Sequence, residues 1–201
     1  MRVALSGWLL VVAVCTAPAE PLTRGERDRA MSHLHATRKL FLDSIAGLTE
    51  AQWSFKPAPD RWSIAECAEH IAVSEDMLFL LVTAKILKSP PAAERKSGPS
   101  DKDELVLRST ADRSRKVETA DFLRPKGRWP TREALVAQFK QSRDRTIAFV
   151  EATAEDLRAH SAPNPVYQSL DAYQYILLMA GHTERHVAQI NEVKADPNYP
   201  K

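Results

Sequence analysis

Apolar residues recur every three or four positions along four long stretches of this chain, and each stretch is bounded by residues that start or stop helices. The first runs over residues 22–46, with Met31, Leu34, Phe41 and Ile45 at helical spacing and Gly47 closing it. The second begins at Ser63, where Ser63-Ile64-Ala65-Glu66 has the form of a capping box, and continues to about Lys88, before Pro90-Pro91. The third follows Pro130 with Thr131 as N-cap, and puts Leu135, Phe139, Ser142, Thr146 and Phe149 on one face. The fourth starts at Ser169 and reaches about Lys194, before Pro197. The pattern predicts an all-α four-helix bundle, and 6 glycines against 13 prolines suit long helices joined by Pro-marked loops.

The connections sharpen this expectation. Residues 89–129 form a charged, Pro-marked stretch; its 101–117 part can make a short polar helix but shows no convincing apolar face. It reads as a long, partly mobile crossover between the second and third helices, which frees the helices from a simple up-down order. The halves also echo one another. Helix one leads through Leu48-Thr49-Glu50 and a loop with Pro57 and Pro59 to helix two; helix three leads through Thr153 to Leu157 and a loop with Pro163 and Pro165 to helix four.

Residues 1–19 are a different object. Arg2 precedes an apolar run from Val3 to Val14, and Ala17-Pro18-Ala19 offers a cleavage site before Glu20. This is the pattern of a signal peptide, and the run is too short to span a bilayer. The expectation is an exported (periplasmic or secreted) protein with a mature domain over residues 20–201 and no membrane span; an uncleaved anchor, or a lipoprotein using Cys15, are the alternatives. Cleavage leaves Cys67 as the sole cysteine, on an apolar helix stripe, where it reads as a small buried hydrophobe. The balance of 28 basic against 26 acidic residues, with no basic stripe, speaks against a nucleic-acid partner.

Chemistry concentrates in the fourth helix. His182 and His186 stand four residues apart, so both imidazoles share one helix face with Tyr175, Met179 and Gln189. A neighbouring face, with Ile176, Ala180, Val187 and Ile190, is the hydrophobic seam. In the second helix His70 lies on a flank with Glu66, Val73, Met77 and Leu80, beside the main stripe of Ile64, Cys67, Ile71, Ser74, Leu78 and Leu81. If these helices are neighbours, three imidazoles can meet, and three nitrogens with open positions is the pattern of a reactive rather than a closed metal site. Taken on spacing alone, two surface histidines and one satisfied core histidine are the better explanation of the pattern. His33, His35 and His160 read as solvated, with His35 a remote fourth ligand; Trp53 and Trp62 read as packing the Pro loop against the bundle end.

Two signatures in order carry a family resemblance. Leu48 to Trp53, Pro57 and Asp60 to His70 form the first; Ser169-Leu170 and Gly181 to Ile190 form the second. Together they resemble the DinB-like proteins over essentially the whole mature chain, with the leader and the enlarged 89–129 segment as departures. The resemblance implies a four-helix bundle with a long central crossover, and a metal triad that maps onto His70, His182 and His186. It also implies metal-dependent transferases or isomerases that use low-molecular-weight thiols, hydrolases, and bundles that pair through helix faces as a homodimer.

The expected ligand is a divalent metal ion. Neutral imidazole suits Zn, Ni, Fe or Cu; Zn and Ni lead the expectation, with Fe and Mn behind. Such an ion would acidify a water toward neutrality and polarise a carbonyl or phosphoryl oxygen. Glu66, one turn before His70, is the candidate catalytic base, although Glu at that place in a capping box already has a structural task. The readings that follow are a metal-dependent hydrolase of a small molecule, a thiol-dependent transferase, a non-catalytic metal or ligand binder of the cell envelope, and a structural domain tied by its metal.

Overall fold

A computed structural model describes residues 21–92 and 100–201; the expected leader, Cys15 and the cleavage site lie outside the described residues. The helices begin where the local chemistry says they should. Helix α1, Arg24–Ile45, starts at a Thr23/Glu26 capping box. The short α2, Glu50–Ser54, starts at a Thr49/Gln52 box, and α3, Ile64–Leu80, at the Ser63/Glu66 box. Helix α3 then widens into one π turn, Leu81–Lys85, and tightens into a 3-10 turn, Ile86–Lys88. Helix α4 is Asp101–Ala111, α5 is Arg132–Ala152 with Thr131 as N-cap, and α6 is Ala172–Lys194.

Two expectations need correction. The fourth helix does not start at Ser169: Gln168–Asp171 is a strand, β2, paired antiparallel with β1, Ser161–Asn164, and Asp171 is the true N-cap. The loop of the second half is therefore a hairpin, and Gln168 takes the positive φ of 65° that its tight turn requires. The 89–129 crossover is also more structured than its polarity implied. Helix α4 buries Asp103, Val106 and Leu107 against α6. Its close approach depends on Gly181, where an added Cβ would stand 3.1 Å from the Leu107 carbonyl oxygen and 3.1 Å from Thr110 Cβ.

The four long helices form a ring in which α1 and α3 each pack against both α5 and α6. Tyr173 near the start of α6 bonds Glu26 near the start of α1, and Lys194 at its end reaches Ser44 at the end of α1, so α1 and α6 run parallel. Glu75 and Phe79 of α3 meet Arg143 and Phe149 of α5 in the same order, so those two also run parallel. Helices α3 and α6 run antiparallel. The order is up, down, down, up, with consecutive helices of each half on the diagonal, an arrangement only a long crossover allows.

Two arginines fix this frame. Arg143, fully buried on α5, donates to Leu34 O (2.7 Å) and Thr37 Oγ1 (2.7 Å) of α1, to Glu75 Oε2 (2.9 Å) of α3 and to Thr183 Oγ1 (2.9 Å) of α6. Arg158, in the turn before the hairpin, joins Glu26 of α1, Asp103 of α4 and the α6 cap Asp171. Cys67 is buried, as its stripe implied, and burial pushes its thiol up to about 12. No helix among the described residues is long and apolar enough to cross a membrane.

Candidate metal centre

Antiparallel packing of α3 on α6 brings His70 opposite His182 and His186. One potential ligand atom from each lies within 4.8 Å of the others, and His70 Nε2 stands 3.0 Å from His182 Nε2. His70 and His186 are buried and His182 half-buried. The outward nitrogens are held. His70 Nδ1 lies 2.9 Å from the Leu123 carbonyl and His186 Nδ1 lies 2.9 Å from Gln189 Oε1. A carbonyl can only accept, so His70 carries its proton on Nδ1 and turns the Nε2 lone pair toward the other rings. The same assignment for His186 leaves its Nε2 as a lone pair. Holding the distal N–H of each ring in this way fixes tautomer and ring plane, which is how imidazole ligands are aimed.

The electrostatics agree. Burial pushes the pKa of His70 below its ordinary value, against the opposing effect of the Leu123 carbonyl. Burial, and then the other imidazoles of the cluster, push His182 and His186 well below theirs. All three are neutral at physiological pH, the state in which imidazole donates to a metal. Three neutral nitrogens aimed at one point fit a single divalent ion that keeps further positions open.

The carbonyl that orients His70 belongs to the crossover, and Glu69 puts it there. The Glu69 carboxylate accepts from the backbone N–H groups of Lys126 (2.7 Å) and Gly127 (2.8 Å) and from Arg128 Nη1 (2.5 Å). Gly127 has a positive φ of 70° in that turn. Burial raises the Glu69 pKa, but the Lys126, Arg128 and Gly127 hydrogen bonds outweigh it and the net shift is downward. Further along, Arg185 of α6 donates to the Asp112 and Arg115 carbonyls, and Arg113 pairs with Glu192 (2.6 Å). The polar crossover is thereby strapped across the α3–α6 seam.

Other expected site residues fall on both sides of the line. Glu66 does not join the imidazoles. Its Oε2 accepts from Ser63 N (2.7 Å) and its Oε1 from Lys56 Nζ (2.9 Å), and it faces a separate depression beside Trp53. The cap and the lysine consume the carboxylate that a base would need free. Trp62, expected to pack the Pro loop, has its ring 5.0 Å from that of His70 and 6.0 Å from that of His186, so it walls the cluster. Gln189 is the His186 partner, whereas Met179 is core and Tyr175 bonds Pro163 O. His35 is exposed on α1 and outside the cluster, His33 half-buried, and His160 bonds Ser89 O. Glu69 and Leu123 escaped the sequence reading because their roles depend on crossover backbone far away in the chain.

The imidazoles line a cavity of about 770 Å³ between α3, α6, the crossover and the hairpin turn. Among the described residues, Glu118 is the one carboxylate on its wall.

A four-helix bundle of up, down, down, up order, with three neutral histidines converging from two of its helices, defines a class of histidine-cluster bundle. The chain belongs to the DinB superfamily, whose model matches residues 33–190. It is 24% identical to the uncharacterized protein YuaE of Bacillus subtilis over 164 residues, covering 82% of this chain and 96% of that one. The fold is similar to that of YfiT from Bacillus subtilis, with a TM-score of 0.59 at 16% identity, covering 92% of this chain and 95% of that one. YfiT is described as a probable metal-dependent hydrolase with an unusual four-helix bundle topology.

Proposed function

We propose that the protein is an exported metal-dependent hydrolase of a small molecule, with His70, His182 and His186 as ligands of one divalent ion and a water as nucleophile. The observation that carries this reading is the cluster of three neutral imidazoles, two of them oriented by Leu123 O and Gln189 Oε1, at the wall of a cavity. The description of YfiT supports it at the level of reaction class. When bound, such an ion acidifies a water and polarises the oxygen of the bond to be cleaved.

The protein supplies the rest. His70 and His186 keep their outward protons in place and so cannot swing away. Trp62 packs against their rings and screens one side from bulk water. Glu66 is committed to its cap and to Lys56, so it is not free to take a proton at the imidazoles. Export rests on the Val3 to Val14 run and the Ala17-Pro18-Ala19 site, and predicts that the protein recovered from its host begins at Glu20.

The test is a metal titration of purified, chelator-stripped protein with Zn and Ni, followed by turnover on a panel of esters, amides and phosphoesters. One ion per chain and a metal-dependent turnover that His70→Ala abolishes are expected. Absence of stoichiometric metal, or turnover untouched by His70→Ala, sinks the proposal.

A further inference from the structure

The cavity beside the imidazoles is chemically graded, and the gradient runs along α3. His70 is followed one turn later by Ser74, then by Met77, Leu78 and Leu81, so the wall changes from ligand to hydroxyl to hydrocarbon with distance from the cluster. Ser74 is the unusual member. It is 3% exposed, and its hydroxyl has no hydrogen-bond partner. Helical Ser and Thr commonly bond the carbonyl four residues back, and Thr37, Thr83 and Ser109 do so here at 2.8, 2.9 and 2.7 Å. A buried hydroxyl left open costs stability, and Ser74 lies on the cavity wall one turn from His70.

The mouth gives a second, independent indication. Of the large hydrophobic side chains exposed among the described residues, Met77, Leu80, Val117, Phe122 and Val166 all line this cavity, and only Leu40 and Leu105 lie elsewhere. They come from three separate segments, so no single helix face explains their gathering. The α3 helix also opens into its π turn along this wall, with Leu81, Ala84 and Lys85 lining the space; π turns of this kind recur at functional sites. The volume of about 770 Å³ is that of a small-molecule site rather than a macromolecular groove.

We infer that the cavity takes a medium-chain acyl compound, its hydrocarbon tail along Met77, Leu78, Leu81 and Phe122 and its carbonyl at the imidazoles. This rests on the hydrolase reading for the reaction but not for the binding. With an ester, the water oxygen bonds the acyl carbon, the acyl–oxygen bond breaks, one water proton ends on the leaving alcohol and the acid departs.

Calorimetry with butanoate, hexanoate, octanoate and decanoate, and hydrolysis of the matching p-nitrophenyl esters by metal-loaded protein, test it. Affinity is expected to rise about fourfold per added methylene, and KM for the esters to fall in step. Leu80→Glu, at an exposed rim position that the fold does not need, is expected to flatten the series. A flat series in the wild type, an unchanged slope in Leu80→Glu, or self-association that buries the mouth overturns the inference. Metal content of the same samples separates the two readings. A flat series on protein with one ion per chain removes the acyl inference alone, whereas a steep series on protein that takes up no metal removes the hydrolase alone.

Discussion

At the scale of single residues, His70 and His186 hold their protons on the outward nitrogen, against Leu123 O and Gln189 Oε1, and turn a lone pair inward. The three histidines have folded-state pKa values below the ordinary 6.5, through burial first. A group depressed in this way binds fewer protons folded than unfolded as pH falls, so its contribution is complete above about 6.5 and lost below it. Asp171 has the opposite sign: burial raises it from 3.8 to about 6, so stability falls as pH rises through that window. Three groups outweigh one, and the denaturation midpoint of metal-free protein is expected to climb from pH 5 to 7 and level off beyond. A midpoint that is flat or falling over that range contradicts the neutral cluster. Gln189→Leu removes the acceptor for His186 Nδ1 and leaves the ring free to turn. Metal affinity, measured by competition with a chelator, is expected to drop about 10–100-fold with no loss of helicity.

At the scale of elements, α4 and the strap behind it decide whether the site has a wall. Helix α4 sits on α6 at Gly181, immediately before His182, and its Thr110 and Ser109 hydroxyls bond Tyr167 of the hairpin turn at 2.6 and 2.8 Å. A branched side chain at Gly181 would have to displace Leu107 backbone, which cannot yield as a flexible side chain does. Gly181→Val is therefore expected to destabilise the protein by about 1–3 kcal/mol, read from urea denaturation, and to raise the protease sensitivity of the 100–128 segment. Equal stability to wild type would mean that the α4–α6 contact is dispensable. The crossover's polarity concealed this docking because its buried face includes Asp103, whose charge is matched by Arg158 from 55 residues away in sequence. No window of sequence reveals such a partner. The hairpin escaped notice for a related reason: its strands are 4 residues each and β1 contains Pro163, so they carry no period-2 signal.

At the scale of the whole molecule, Arg143 is the point where all four long helices are joined. Its guanidinium bonds Thr37, Glu75 and Thr183, and Thr183 lies on α6 between His182 and His186. The same contact that closes the bundle also sets the rotation of α6 that aims its histidines. Arg143→Met leaves the Glu75 carboxylate buried without its cation and is expected to cost about 3–5 kcal/mol. The double change Glu75→Leu with Arg143→Met is expected to recover part of that stability while metal affinity stays reduced, because hydrophobic packing replaces the charge pair but not the alignment. Recovery of full metal binding in the double variant would show that α6 is aimed by something else.

The sequence by itself determined the four long helices, the starts of α3 and α5, and the flank on which each histidine lies. Those features are local: Ser63 and Thr131 cap backbone N–H groups three residues on, and a stripe is a matter of spacing along one helix. It also carried the ordered signatures that made a three-histidine site expected. Only the tertiary structure decided that His70 meets His182 and His186, that Glu66 is spent on its cap, and that Trp62, Gln189, Glu69 and the Leu123 carbonyl complete the surroundings. Convergence depends on the antiparallel α3–α6 pairing and on a crossover held by charges distant in the chain, and these are properties of packing that no spacing encodes.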